Sequence, residues 1–292
     1  MFNNRGRLKK PVQYLIKVFY FGTNFAGSQF QPNERTVEGV LIDTLMKLGY
    51  IASKEENQFK RASRTDLGVH ARCNLFSFIS DKKIYPIEIN SNLPNDVGIW
   101  AYSILPDYQN PRFLPKSREY LYYYPKFFLP ENFNFSLMIR ALSLLKGTHD
   151  FKYLCKIEPD RSTIRTIFDC ECIQDPHFLK FRFVGDSFLW HQIRRTLQLL
   201  INIGSERFPI SDLPDLLKAA DRFEGIQFDN ADPNGLILWD MTLPEEIEQL
   251  FIIEEKSIER FCNQFSKRAY IQLTQATFQS NILESWGKYK LF

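Results

Sequence analysis

Arg61-Ala62-Ser63-Arg64-Thr65-Asp66-Leu67-Gly68-Val69-His70-Ala71 sets one carboxylate among cations and a glycine, just ahead of the apolar run Leu75, Phe76, Phe78 and Ile79. A turn feeding a strand is the simplest reading of that order. Asp66 is the only acidic residue between Glu56 and Asp81, whereas Arg61, Arg64 and Arg72 lie close by. The surrounding charge therefore favours an ionised carboxylate, the form that attacks carbon or stabilises a developing cation. The same residues also suit a plain loop in which Asp66 and Thr65 cap a turn and the arginines are solvated. The segment alone leaves both readings open.

Outward from it, Val12, Tyr14, Ile16, Val18 and Tyr20 alternate with more polar positions and read as a strand, followed by a turn-rich loop from Gly22 to Gln31. Thr36 then caps a helix carrying Val37, Val40, Leu41, Leu45 and Leu48, with Gly49 as its stop. After the Asp66 strand, a proline-punctuated loop leads to a strand near Ile99 to Leu105, and Pro106, Pro111 and Pro115 mark a connector. The second half opens on an aromatic strand with Tyr120, Tyr122, Tyr123 and Tyr124. A helix follows near 135–146, with Met138, Ala141, Leu142 and Leu145 on one face. Strands near 166–173 and 178–184 precede a helix with Leu189, Ile193, Leu197, Leu200 and Ile201 on one face and Gly204 at its end. Further helices are expected over 211–222 and 245–261, and 266–292 is too mixed to assign. This order predicts an α+β fold of two similar halves, with a largely antiparallel mixed sheet flanked by helices. The expected organisation is a flexible basic tail at 1–11, an N-terminal α+β domain at 12–112, a C-terminal one at 113–262, and an extension at 263–292.

Composition narrows the function classes. A chain of 292 residues with 44% hydrophobic content and 27 phenylalanines has ample material for a core. No apolar run of about 18 residues is present, so a membrane partner is not expected. The basic N-terminus lacks the apolar stretch of a secretory signal, which points to a cytoplasmic protein. Cys73, Cys155, Cys170, Cys172 and Cys262 are odd in number and show no CxxC pair. That argues against a disulfide framework or structural zinc, and no metal is expected. A net charge of +3 is only mildly basic. Arg112 and Arg118, Arg161 and Arg165, and Arg194 and Arg195 sit beside aromatic or turn residues, which suits phosphate contacts as well as ordinary solvated surface.

Arg64-Thr65-Asp66-Leu67-Gly68-Val69-His70-Ala71 resembles the active-site motif of the TruA family of tRNA pseudouridine synthases, written RTDxGVHA. Other blocks follow in that family's order. They are Gly27 to Pro32, Thr36 to Gly39, Asn92 to Val97, Ser117 to Tyr122, Gly147 to Phe151, Gly185 to Arg195 and Ala231 to Leu236. The resemblance covers residues from about 13 to 245. It implies the pseudouridine synthase fold, with an active-site cleft between the halves. It also implies isomerisation of uridine to pseudouridine at positions 38 to 40 in the anticodon stem-loop of tRNA, without a cofactor, by a homodimer.

By the same resemblance Asp66 is the nucleophile, Arg194 the arginine paired with it, and Tyr120 the tyrosine that stacks on the uracil and handles a proton at C5. Arg64 would intrude on the RNA stem to hold the target nucleotide out of the stack. Leu236 would contact the other face of the base, and His70 would touch the RNA. Three residues depart from the pattern: Leu67 replaces a commoner Ala, Phe30 a cation, and Asp186 an Asn, the last bringing a further carboxylate toward Asp66. A glycosidase would need a second catalytic carboxylate, which the motif lacks. A zinc deaminase would need His-x-Glu and Pro-Cys-x-x-Cys, which are missing. A homologue that binds RNA without turnover is the non-enzymatic alternative, and the trio Asp66, Tyr120 and Arg194 argues against it.

Overall fold

The computed structural model describes the backbone of residues 7–287 and the side chains of residues 10–279. In chain order the first half comprises β1 (Arg7–Tyr20), α1 (Val37–Lys47), β2 (Lys60–Arg61), β3 (His70–Lys82), α2 (Pro86–Asn92) and β4 (Val97–Leu105). The second half comprises β5 (Ser117–Pro125), α3 (Phe135–Ser143), β6 (Gly147–Asp150), β7 (Ile164–Gln174), β8 (Phe178–Gly185), α4 (Gln192–Gly204) and α5 (Leu213–Leu216). It continues through β9 (Leu236–Thr242), α6 (Glu245–Glu248), β10 (Ile252–Ile253) and α7 (Glu255–Gly287). All strands join one ten-stranded sheet in the order β10-β4-β1-β3-β9-β5-β8-β7-β6, with β2 beside β3. The β3–β9 pairing is parallel and every other pairing described is antiparallel. The α+β class with a mostly antiparallel sheet is as the sequence indicated.

Helix ends follow local chemistry. The Thr36 hydroxyl accepts from Gly39 N at 3.1 Å, and Gly49 at φ 68° ends the first helix in a left-handed conformation that glycine adopts without strain. In the second half Met138, Ala141 and Leu142 of α3 and Leu197 and Leu200 of α4 are buried in the same core as Phe181 and Phe183 of β8.

Several expectations shift. The first strand begins at Arg7, within the stretch expected to be a tail, and pairs there with Lys82; residues 1–6 lie outside the described residues. Alternation in β1 suggested one buried face, yet Leu15, Lys17 and Phe19 are buried along with Tyr14, Ile16 and Val18. A second layer explains this. The Phe19 ring meets Phe261 at 4.6 Å and Phe265 at 5.1 Å, and the Lys17 ammonium sits 4.3 Å above Phe251 while pairing with Glu248. The helix expected at 211–222 is a short α5 with Pro214 in its first turn, flanked by 3-10 turns. The one expected at 245–261 divides into α6, the edge strand β10 and the start of α7. Helix α7 then runs on through the unassigned extension to Gly287; residues 288–292 lie outside the described residues. Among the described residues no helix is long and apolar enough to cross a membrane.

Leu197 is fully buried where α4 packs into the core. Leu197→Ala is expected to lower unfolding stability by about 2–5 kcal/mol, measured by chemical denaturation, because the site collapses only partly around the lost atoms.

Candidate active site

The Asp66 loop rests on a buried polar network. Thr65 N donates to Ser28 Oγ at 2.8 Å, and Ser28 N donates back to the Thr65 carbonyl at 3.0 Å. The Tyr20 hydroxyl lies 2.8 Å from Thr65 Oγ1. Asn74 Nδ2 donates to Tyr20 Oη at 3.1 Å and to the Ser63 carbonyl at 3.0 Å, while its Oδ1 accepts from Ser63 N at 3.3 Å and Leu75 N at 2.9 Å. Burial pushes the Tyr20 phenol up to about 12, with its hydrogen bonds to Thr65, Asn74 and Ser28 pulling the other way. Each polar group on this floor has a partner, so the loop is held without the cost of unsatisfied burial. Gly22 allows the approach from outside, since a Cβ there would stand 2.1 Å from the Val69 carbonyl oxygen.

Arg118 braces the loop from the second half. It is buried, and its Nε donates to Ser63 Oγ at 3.0 Å, Nη1 to the Asp186 carbonyl at 2.8 Å and Nη2 to the Arg112 carbonyl at 2.9 Å. Burial lowers the pKa of its guanidinium from the usual value.

Asp66 itself is partly exposed and faces the first turn of α4. Arg194 Nη1 donates to Asp66 Oδ2 at 3.1 Å, and His191 Nε2 lies 3.4 Å from the same oxygen. The Arg194 guanidinium is aimed from below: its Nε donates to the Ala231 carbonyl at 2.7 Å, and Ala231 N returns a bond to the Arg194 carbonyl at 3.1 Å. A carboxylate at a helix start also meets the positive end of the backbone dipole. Tyr120, on β5, is buried with its ring edge-on to Phe188 at 5.3 Å. Burial raises its phenol pKa well above the usual range, Arg118 opposes the shift, and the charge of Asp66 adds to it. The site therefore presents an oriented carboxylate beside an apolar, aromatic wall, an arrangement suited to attack on a sugar or a planar base.

A sequence profile described as tRNA pseudouridine synthase matches residues 141–244. The tRNA pseudouridine synthase A of Archaeoglobus fulgidus is 36% identical over 79% of this chain and 83% of its own length. That of Thermococcus kodakarensis is 35% identical over 92% of this chain and 97% of its own. The chain belongs to the tRNA pseudouridine synthase A family. A distant likeness, with TM-score 0.34 and 12% identity over 65% of this chain and 45% of the other, reaches the crystal structure of a Cbf5-Nop10-Gar1 complex.

In this pseudouridine synthase the other motif residues fall as follows. Arg64 is about half exposed and its Nη1 donates to Glu158 Oε1 at 3.1 Å. His70 Nδ1 accepts from Gly22 N at 3.1 Å, and a bond with the Asn234 backbone engages it from the other side. It thus ties the loop after β1 to the turn before β9, and burial lowers its pKa. Leu236 is buried at the start of β9, opposite Tyr122 of β5. Leu67 is exposed, at 63%. The Asp186 carboxylate accepts from Ser187 N, so it serves its own turn. Phe30 stays exposed with the Lys54 ammonium 5.2 Å above its ring.

Sequence reasoning passed over His191, Arg118, Tyr20 and Asn74. For His191 a signal existed: it precedes Arg194 by three residues, and that spacing puts both on one face of a helix start. For the other three, strand pairing alone brings them under the loop.

Tyr20→Phe is expected to cost about 1–3 kcal/mol, since Thr65 and Asn74 lose a buried partner. A phenol raised to about 12 in the folded state from 10.0 favours folding fully below pH 10, and that contribution is lost as pH rises through about 12. The stability difference between wild type and Tyr20→Phe, followed by urea titration, should therefore shrink between pH 10 and pH 12.

Proposed function

We propose that this protein isomerises uridine to pseudouridine in the anticodon stem-loop of tRNA, at positions 38 to 40, with Asp66 as the nucleophile. The observation that carries the reading is the Arg194–Asp66 contact at 3.1 Å between residues 128 apart in sequence. A hydrogen-bonded guanidinium keeps the carboxylate aimed, which a folding role for a partly exposed loop aspartate does not require. Family membership supports the reaction class. In it the N1–C1′ bond breaks, the uracil turns over, C5 bonds to C1′, and the proton lost from C5 is balanced by one gained at N1.

Tyr120 supplies the stacking surface for the uracil, and its phenol, kept neutral by burial, is suited to relaying the C5 proton. Leu236, one strand over on β9, adds apolar contact for the base. Arg64 and His70 stand at the RNA side of the loop, Arg64 as the planar cation that offsets extrusion of the base. Two further cations gather nearby. Arg112 has its pKa lowered first by burial and then by Arg161 and Arg64, and exposed Phe113 adjoins them. Clustered arginines with an exposed ring suit a phosphate backbone and an unstacked base.

Asp66→Asn and Asp66→Ala are expected to abolish tritium release from 5-tritiated uridine in tRNA while keeping tRNA affinity within about tenfold. Mapping the product locates the modified position. Residual turnover in either variant removes Asp66 from the role, and a wild-type protein that binds tRNA without releasing tritium leaves the RNA-binding alternative standing.

We also infer a homodimer. Phe127, Phe128 and Phe168 of the second half and Tyr270, Leu273 and Phe278 of α7 are exposed, and large apolar side chains of this kind suit burial against a second copy. Sedimentation at micromolar concentration should give a dimer, and a monomer there would refute it.

A further inference from the structure

Arg194 reaches Asp66 through one nitrogen, Nη1, and a single donor is a pivot about which a carboxylate can still swing. His191 supplies a second direction. Its Nε2 stands 3.4 Å from Oδ2, the oxygen that Arg194 already holds at 3.1 Å, and among the described residues Oδ1 takes no hydrogen bond or ion pair. We propose that His191 is a positioning residue which, with Arg194, pins Oδ2 from two sides and so fixes the carboxylate plane with Oδ1 presented to the substrate. The inference rests on the reading of Asp66 as the reacting group.

Three features of His191 belong to this role. Its backbone is left-handed, at φ 67° and ψ −1°, where a residue with a Cβ is strained. That conformation lies immediately before α4, so the imidazole and the Arg194 side chain, three residues on, approach the carboxylate together. Its Nδ1 is buried and, among the described residues, has no hydrogen-bond partner. A buried lone pair costs less than a buried N–H without an acceptor, so the neutral tautomer carries its proton on Nε2, facing the carboxylate. Burial lowers the His191 pKa, and Arg194, Arg195 and Lys156 add to this while Asp66 opposes it. A ring kept neutral in this way stands 3.4 Å from the carboxylate without adding a second full charge to the ion pair.

The surroundings hold the ring in place. Leu189 N donates to Gln192 Oε1 at 2.8 Å, and Arg195 N donates to the His191 carbonyl at 3.0 Å, so the turn is tied on both sides. The Trp190 ring lies edge-on to the imidazole at 5.4 Å, and the Lys156 ammonium covers that indole at 3.9 Å.

The test compares three substitutions by single-turnover rate on saturating tRNA, tRNA affinity and thermal stability. His191→Phe keeps a ring but has no donor, and His191→Asn tolerates the left-handed backbone but its amide stops near the Nδ1 position. Both should lower the single-turnover rate about 10–100-fold, the scale of a small misplacement of a catalytic group, with tRNA affinity changed less than about threefold. His191→Gln places an amide N–H near the Nε2 position and should recover at least about tenfold of that loss. Should the phenylalanine variant be too unstable to assay, the Asn and Gln pair decides. A wild-type rate in the Phe or Asn variant, a Gln variant as slow as Asn, or a loss confined to tRNA affinity would each overturn the inference. Full activity in Asp66→Asn would instead sink the reading of Asp66, so the two failures are separable.

Discussion

The geometry of the candidate active site depends on two residue pairs of parallel strand. His70 opposite Ile237 and Ala71 opposite Leu238 join β3 to β9, and through them the five-stranded half built on β1 meets the half built on β5. On one side of the seam the chain has just left the Asp66 loop. On the other it has just left the turn after Ala231, the residue whose carbonyl orients Arg194. Pairing these strand starts in register therefore brings Asp66 and Arg194 together with no further device. The parallel sense matters, because it sets both strand starts, with the loops that precede them, at the same end of the seam.

A charged pair at such a junction needs a firm base, and the base is polar. Ser28, Ser63, Thr65 and Asn74 are buried beneath the loop. Their hydrogen bonds reach β1, β3 and the loop before α1, so the aspartate is fixed to the sheet. Glu38 acts in a comparable way beside it. Fully buried at the start of α1, it accepts from Arg61 Nη1 at 2.6 Å and from Phe30 N at 2.7 Å, binding the loop on which Phe30 sits to β2. Buried polar groups of this kind contribute little net stability but penalise alternative arrangements that leave any of them unpaired.

Much of this was legible in the sequence where the signal is local. Thr36 and Gly49 bounded α1, the apolar faces of α3 and α4 were plain from their spacing, and the Asp66 loop ahead of an apolar strand stood out by its charge. The pairing of Asp66 with Arg194 was reached through resemblance to a family, since no local rule links residues so far apart. What stayed hidden was tertiary. Phe19 and Lys17 read as the outward face of a strand, and only the long helix α7 with Phe251 turns that face into a second interior. The extension after 266 carries no strong apolar period, so its helical state follows continuation from a packed first half. His191 offered one signal, its spacing from Arg194, but the left-handed backbone angle that sets its ring leaves no mark in composition.

The pairing of Arg64 with Glu158, which also accepts from Arg161 Nη1 at 2.5 Å, sets a condition on whatever approaches the loop. In the free protein these cations already hold an anion. A phosphate arriving there must take the place of a carboxylate, so it trades one negative partner for another instead of filling an empty positive field. Such an exchange rewards a ligand that brings several phosphates at the right spacing and gives little to a single stray anion.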